Sequence, residues 1–113
     1  MIKVTLDVMG SASIVGFRAS GHSGYAESGS DIVCAAASAL LQTAAYGLRE
    51  VAGLSIGIDL DEENADLTVV LERDLSQSDR QKADMILKTM RLGLEALEQQ
   101  YPKNIIIAER RCN

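Results

Sequence analysis

Cys34 and His22 are the two side chains of this sequence best suited to covalent chemistry, and His22 is its only histidine. A thiol and an imidazole become nucleophile and general base once a fold brings them together. Cys34 lies twelve positions after His22, the stretch between them contains Gly24 and Gly29, and Gly21 precedes it. Each glycine permits positive φ or the close approach of a peptide, so the stretch from Gly21 to Ser30 is read as a substrate loop or mobile lid. Tyr25 either packs over this loop or lines a pocket.

Ser30 or Asp31 is the expected N-cap of the helix carrying Cys34. That assignment puts the thiol in the first turn, where unpaired N–H groups and the positive end of the dipole favour a thiolate. An ordinary thiol with pKa ~8.5 is about 3% ionised at neutral pH, and a drop of about two units makes thiolate the majority form. In a peptidase the same N–H groups would hold the oxyanion. The alternative is a small buried hydrophobe between Val33 and Ala35. His22 is likewise either the base or a solvent-exposed loop residue, since spacing alone does not establish contact. Asp31 either caps the helix or orients the imidazole. Ser38, one turn beyond Cys34 on the same face, either reaches the site or bonds back to the Cys34 carbonyl.

Composition narrows the remaining choices. Cys34 and Cys112 show no paired ligand spacing, and one histidine leaves a zinc site short of ligands, so no metal and no cofactor are expected. Cys112, beside the C-terminus, reads as an exposed thiol without a role. The acidic run from Asp59 to Glu63 lacks the spacing of a calcium loop. No Gly-Lys-Ser/Thr follows the glycines to cradle a phosphate. With 16 acidic against 11 basic side chains, the net charge of -5 opposes direct nucleic-acid binding.

Met1 to Val8 alternates apolar and polar residues, unlike a secretion signal, and the unpaired cysteines suit a reducing compartment. A cytoplasmic location is expected. The run Ile32 to Leu41 is too short to span a bilayer, so no membrane association is expected. A chain of 113 residues, 47% apolar, suits a single domain over residues 1–113.

The elements that must position Cys34 follow from periodicity. Ile2, Val4, Leu6 and Val8 alternate, and Ile14 to Ser20 forms a second strand, giving a hairpin. Asp31 to Val51 is helical, with Ala37, Leu40, Leu41, Ala44, Ala45 and Leu48 at helical spacing. It is apolar nearly all round, which calls for cover by the sheet and a second helix or by a partner subunit. Gly53 ends it. Leu54 to Leu60 and Ala65 to Leu71 make a second hairpin, with Asp66 and Thr68 toward solvent. Ser78 with Gln81 is a candidate capping box for a helix whose stripe is Ala83, Ile86, Leu87, Met90, Leu94 and Leu97. After Pro102, Ile105 to Ala108 reads as a short strand buried on both faces. The expected fold is α+β, ββαββαβ, with a single sheet and two covering helices.

The motif Ser20-Gly21-His22-Ser23-Gly24-Tyr25-Ala26, then Gly29, Asp31-Ile32-Val33-Cys34-Ala35-Ala36 and Ser38-Ala39-Leu40, resembles the ribosomal-processing cysteine protease Prp family. The resemblance extends through length and element order. It implies a His22/Cys34 dyad that removes the short N-terminal extension of a large-subunit ribosomal protein. It also implies a homodimer, a flexible loop over the site, and supporting roles for Asp31 and Ser38. Ser23 and Ala37 stand where the family pattern has alanine and frequently valine, and neither is a reacting group. Two further readings remain beside the endopeptidase: a non-catalytic ribosome-associated peptide-binding module, and redox sensing with Cys112 as resolving thiol.

Overall fold

The computed structural model describes residues 1–21, 28–61, 63 and 66–112. Strands β1 (Ile2–Met9) and β2 (Ser13–Ser20) lead to helix α1 (Ser28–Tyr46), which ends in a π-helical turn (Gly47–Val51). Strands β3 (Ile56–Asp61) and β4 (Asp66–Leu71), helix α2 (Gln77–Gln100) and strand β5 (Ile105–Arg111) follow. The five strands form one sheet in the order β3-β4-β2-β1-β5. Both expected hairpins form as antiparallel pairs, β1 with β2 and β3 with β4. The predicted α+β order, with one sheet and two helices, is the observed one.

Alternation on β1 puts Val4 and Leu6 into the core, where Phe17, Val69 and Ile105 join them from the neighbouring strands. Helix α1 and its π-helical turn contribute Val33, Ala37, Leu41, Ala44 and Leu48, a stripe repeating every three or four residues. Helix α2 contributes Ala83, Leu87, Met90 and Leu94 by the same rule. The two helices touch where Leu40 lies over Gly93. A Cβ added to Gly93 would stand 2.9 Å from a Leu40 methyl, so Leu40 would have to turn aside to admit one.

The structure departs from the sequence reading at several boundaries. The N-cap of α2 is Ser76, whose Oγ accepts from the Asp79 amide at 3.1 Å, in place of the expected Ser78. Ser76 precedes an acidic residue at the third helical position, which supplies the same signature two residues earlier. The last turn of the first helix widens: the Ala52 amide donates to the Gly47 carbonyl at 2.9 Å, and Gly53 (φ 69°) follows.

Strand β5 is an edge strand paired in parallel with β1, and Ile106 is exposed beside buried Ile105. The expected burial on both faces does not occur, because only one neighbouring strand and one layer of helices cover it. Within the single chain α1 is not covered all round, since Ile32 and Tyr46 are exposed, as is Val51 in the π-helical turn. Cover by a partner subunit is left as the alternative for that face. By length and composition Ile32–Val51 meets the requirement for a spanning helix, longer than the Ile32 to Leu41 run suggested, with a mean hydropathy of 1.2. Its inward side chains are part of the same core as the sheet.

Candidate active site

Cys34 occupies the seventh position of α1, which starts at Ser28. Nothing in Ser28-Gly29-Ser30 forbids helical dihedrals, and the Ala- and Leu-rich segment behind them supplies favourable propagation. Ser30 and Asp31 are therefore helical residues, and Gly29 lies with them in the first turn. This corrects the expected cap. In the second turn an amide is already paired with the carbonyl four residues back, and the dipole's influence fades beyond the first turn. The thiol does not inherit the helix-start environment that the sequence reading gave it.

Tertiary packing gives it a different one. Cys34, Ala37, Ser38 and Leu41 lie three to four residues apart on one face of α1, and that face meets the start of β1 and the end of β2. Together with Ile2, Ala19 and Ser20 they enclose a recess of about 60 Å³. Its floor is apolar, since Ile2, Ala19, Ala37 and Leu41 are buried. Ser20 and Ser38 are exposed at its rim, and the half-buried Cys34 stands in its wall. The predicted neighbourhood of Cys34 and Ser38 is thus present, with Ser38 at the mouth of the recess. Ile2, Ala19, Ala37 and Leu41 were legible only as core positions, because alternation says which residues are buried but not what they surround.

The strand end beside Cys34 leads toward His22. Gly21 follows Ser20 with φ 89°, and a Cβ there would collide with the Met1 carbonyl oxygen, so only glycine carries the chain out of β2 along this path. His22, Gly24 and Tyr25 lie outside the described residues, as does the middle of the predicted loop.

Neither cysteine forms a disulfide. Ile2, at one end of β1, lines the recess of Cys34, whereas the Cys112 amide donates to the Val8 carbonyl at 2.7 Å, near the other end. Six residues of strand separate the two ends by about 20 Å. A disulfide needs Cα atoms within about 7 Å, so Cys112 cannot resolve Cys34 within this fold. Cys112 is half-buried, not exposed as expected, because its amide continues the β1–β5 ladder. Among the described residues no three His, Cys, Asp or Glu side chains cluster as a metal site.

Residues 1–106 match the family of cysteine protease Prp. The chain is 30% identical over 105 residues to the ribosomal processing cysteine protease Prp of Bacillus subtilis, covering 93% of this chain and 94% of that protein. It also resembles the crystal structure of the essential ribosomal processing protease Prp from S. aureus in complex with a substrate peptide. That likeness has a TM-score of 0.85 at 25% identity, over 97% of this chain and all of that one, 100%. The same protease with a covalently linked product peptide superposes with a TM-score of 0.82 at 26% identity, covering 97% and 100% of the two chains.

Proposed function

The chain belongs to the cysteine protease Prp family and is a cysteine protease; from that premise we propose that it is an endopeptidase that removes the short N-terminal extension of a large-subunit ribosomal protein, with Cys34 as nucleophile and His22 as base. The observation that carries the assignment is Cys34 in the wall of a recess at the end of β2, the strand that leads to His22. His22 follows Ser20 by two residues, and two residues span at most about 7 Å. A histidine tethered this closely to the rim of the recess has the reach to serve the thiol.

In this mechanism His22 takes the proton of the Cys34 thiol, and Sγ forms a bond to the carbonyl carbon as the π electrons move to oxygen. Collapse of that intermediate breaks the C–N bond, and the imidazolium gives its proton to the leaving amine. Water then attacks the thioester, with His22 again as base, and releases the acid and the thiol. The S. aureus protease with a covalently linked product peptide supports a covalent route. The oxyanion is not assigned to the first-turn amides of α1, because they precede Cys34 by a turn. Asp31 and Ser38 are supporting residues, Ser38 through its place at the rim.

The protein acts as a single domain in the cytoplasm, as a homodimer. A groove of about 520 Å³ between the two helices, walled by Leu40, Met85 and Ile86, leaves apolar surface that a second copy would cover, and Met85 beside it is 74% exposed. Met85→Glu should convert a dimer to a monomer by light scattering; a wild type that is already monomeric rejects the dimer.

The central test is cleavage of a peptide spanning such an extension by wild type and Cys34→Ala. Cutting by the wild type alone is the expected result, and equal cutting by both removes Cys34 as nucleophile. His22→Ala should lose most turnover. Alkylation of Cys34 by iodoacetamide should continue at pH values where an ordinary thiol has become unreactive.

A further inference from the structure

The end of β1 opposite Cys34 holds another cavity, of about 230 Å³ against about 60 Å³ beside the thiol. Cross-strand register builds its floor. Val8 stands opposite Ile14 on β2 and opposite Arg111 on β5, so the three side chains share the helix-covered face of the sheet. Val8 and Ile14 are buried, and Ala12 of the β1–β2 turn extends their apolar surface to the rim. Helix α2 crosses above, where Lys88 and Arg91, three residues apart on one helix face, reach the same rim.

Three cationic side chains therefore surround an apolar floor, and Glu109 is the one carboxylate among the lining residues. Overall basicity does not account for this local excess, because the chain carries a net charge of -5. Arg91 is held by Glu109 at 2.6 Å and by Glu95 at 3.5 Å. Arg111 is held differently: one guanidinium N–H donates to the Gly10 carbonyl at 2.6 Å, which fixes the fork without neutralising it. Among the described residues neither Lys88 nor Arg111 forms an ion pair. Asp84, one turn before Lys88, accepts instead from the Ser13 hydroxyl at 3.2 Å. A bare phosphate would satisfy the cations and leave the floor wet, and a neutral apolar molecule would do the reverse.

We propose that this cavity binds a carboxylate carried on a short apolar stem, with Arg111 and Lys88 on the carboxylate and Val8, Ile14 and Ala12 against the stem. The planar fork of Arg111 matches the two oxygens of a carboxylate, and Lys88 adds a mobile point charge. Two sources have this chemistry: a small carboxylic acid, and the C-terminus of a peptide that ends in an apolar residue. The site is separate from the cutting site proposed above and stands whether or not the endopeptidase reading does.

Titration of the isotope-labelled protein with hexanoate, followed by its amide resonances, tests the site directly. A Kd of about 1 mM is expected for a ligand of this size, with the shifts centred on residues 11–14, 88–91 and 109–111. Hexanol and inorganic phosphate should each bind about 10-fold more weakly or worse, the first for want of charge and the second for want of a stem. Either one binding as tightly as hexanoate overturns the proposal. So do the absence of a saturable shift and shifts confined to the groove between the two helices. An acetylated tripeptide ending in leucine, compared as free acid and as amide, separates the sources. Equal binding of acid and amide overturns carboxylate recognition. With the amide weaker, a free acid that binds more tightly than hexanoate supports a peptide C-terminus, and one that binds less tightly supports a small acid.

Arg111→Gln should weaken hexanoate binding by about 10-fold. Lys88→Gln, at an exposed helix position where folding is not at risk, should weaken it by about 3-fold. Unchanged affinity in both variants, with folding checked by thermal melting, rejects these cations as the carboxylate site.

Discussion

The two ends of β1 are built by different means. Toward its C-terminal end Asp7, 7% exposed, accepts from Arg110 Nε at 2.9 Å, and Arg18 stands 3.9 Å from its other oxygen. Close by, Arg91 of α2 pairs with Glu109 of β5 at 2.6 Å, and Glu109 holds the Arg91 guanidinium above the ordinary arginine range. Here long, charged side chains tie β1, β2, β5 and α2 together. At the N-terminal end, Ile2 meets Ala19, Ala37 and Leu41 around the recess of Cys34, and Gly21 crosses the Met1 carbonyl. Small side chains and close backbone approach do there what ion pairs do at the other end, and they leave space next to a thiol. On the proposed mechanism, stability and reactivity thus fall at opposite ends of one strand.

Substitutions at each end should separate the two properties. The largest effect is expected from Cys34→Ala, which should lower peptide cleavage by about 10⁴-fold or more while leaving the melting temperature close to wild type. Loss of folding together with activity would make Cys34 part of the structural framework. Gly21→Ala comes next: the added Cβ forces the chain off its path toward His22, and kcat/KM should fall by about 100-fold, with unfolding in urea showing a loss of about 1–3 kcal/mol.

Asp7→Asn should do the reverse. It removes a charge-assisted bond and costs about 1–2 kcal/mol by denaturant titration, limited by the exposure of both arginines, with kcat/KM of the folded protein unchanged. A fall in kcat/KM would show that the two ends are coupled. Arg91→Gln should have the smallest effect, below about 1 kcal/mol, because the pair is partly solvated. The raised pKa of Arg91 contributes stability that is fully present below the unfolded-state value and lost only above the arginine range. Removing this arginine should therefore leave the pH dependence of unfolding near neutrality unaltered.

Much of this arrangement can be read from the residues before any coordinates. Alternation in Ile2 to Val8 and in Ala65 to Leu71 gives strands, the Ala83 to Leu97 stripe gives α2, and Gly53 ends the first helical segment, because these signals are local. The start of α1 is not legible, since Ser28, Ser30 and Asp31 are all acceptable caps and propagation from Ala35 onward decides among starts that differ little in free energy. Strand order is also hidden. The Ile105 to Ile107 run suits a doubly covered strand as well as the edge strand it forms, and only the packing of α2 distinguishes them. Cys34 stands out by its residue type and its motif. Its surroundings do not, because Ile2, Ala19 and Leu41 come from three separate elements whose convergence depends on the finished sheet.

The parallel pairing of β1 with β5 joins Ile2 to Ile105, and so the beginning of the chain to its last strand. This pairing closes a loop of nearly the full sequence, the kind of contact that forms late in folding. During synthesis β1 can pair with β2 on one side, but its other edge must wait until Arg111 has been made. Ile2, one wall of the recess, thus sits in a strand whose second edge stays unpaired until β5 has been made. The proposed cutting site therefore borders a strand whose pairing is completed only after every other element of the sheet has been made.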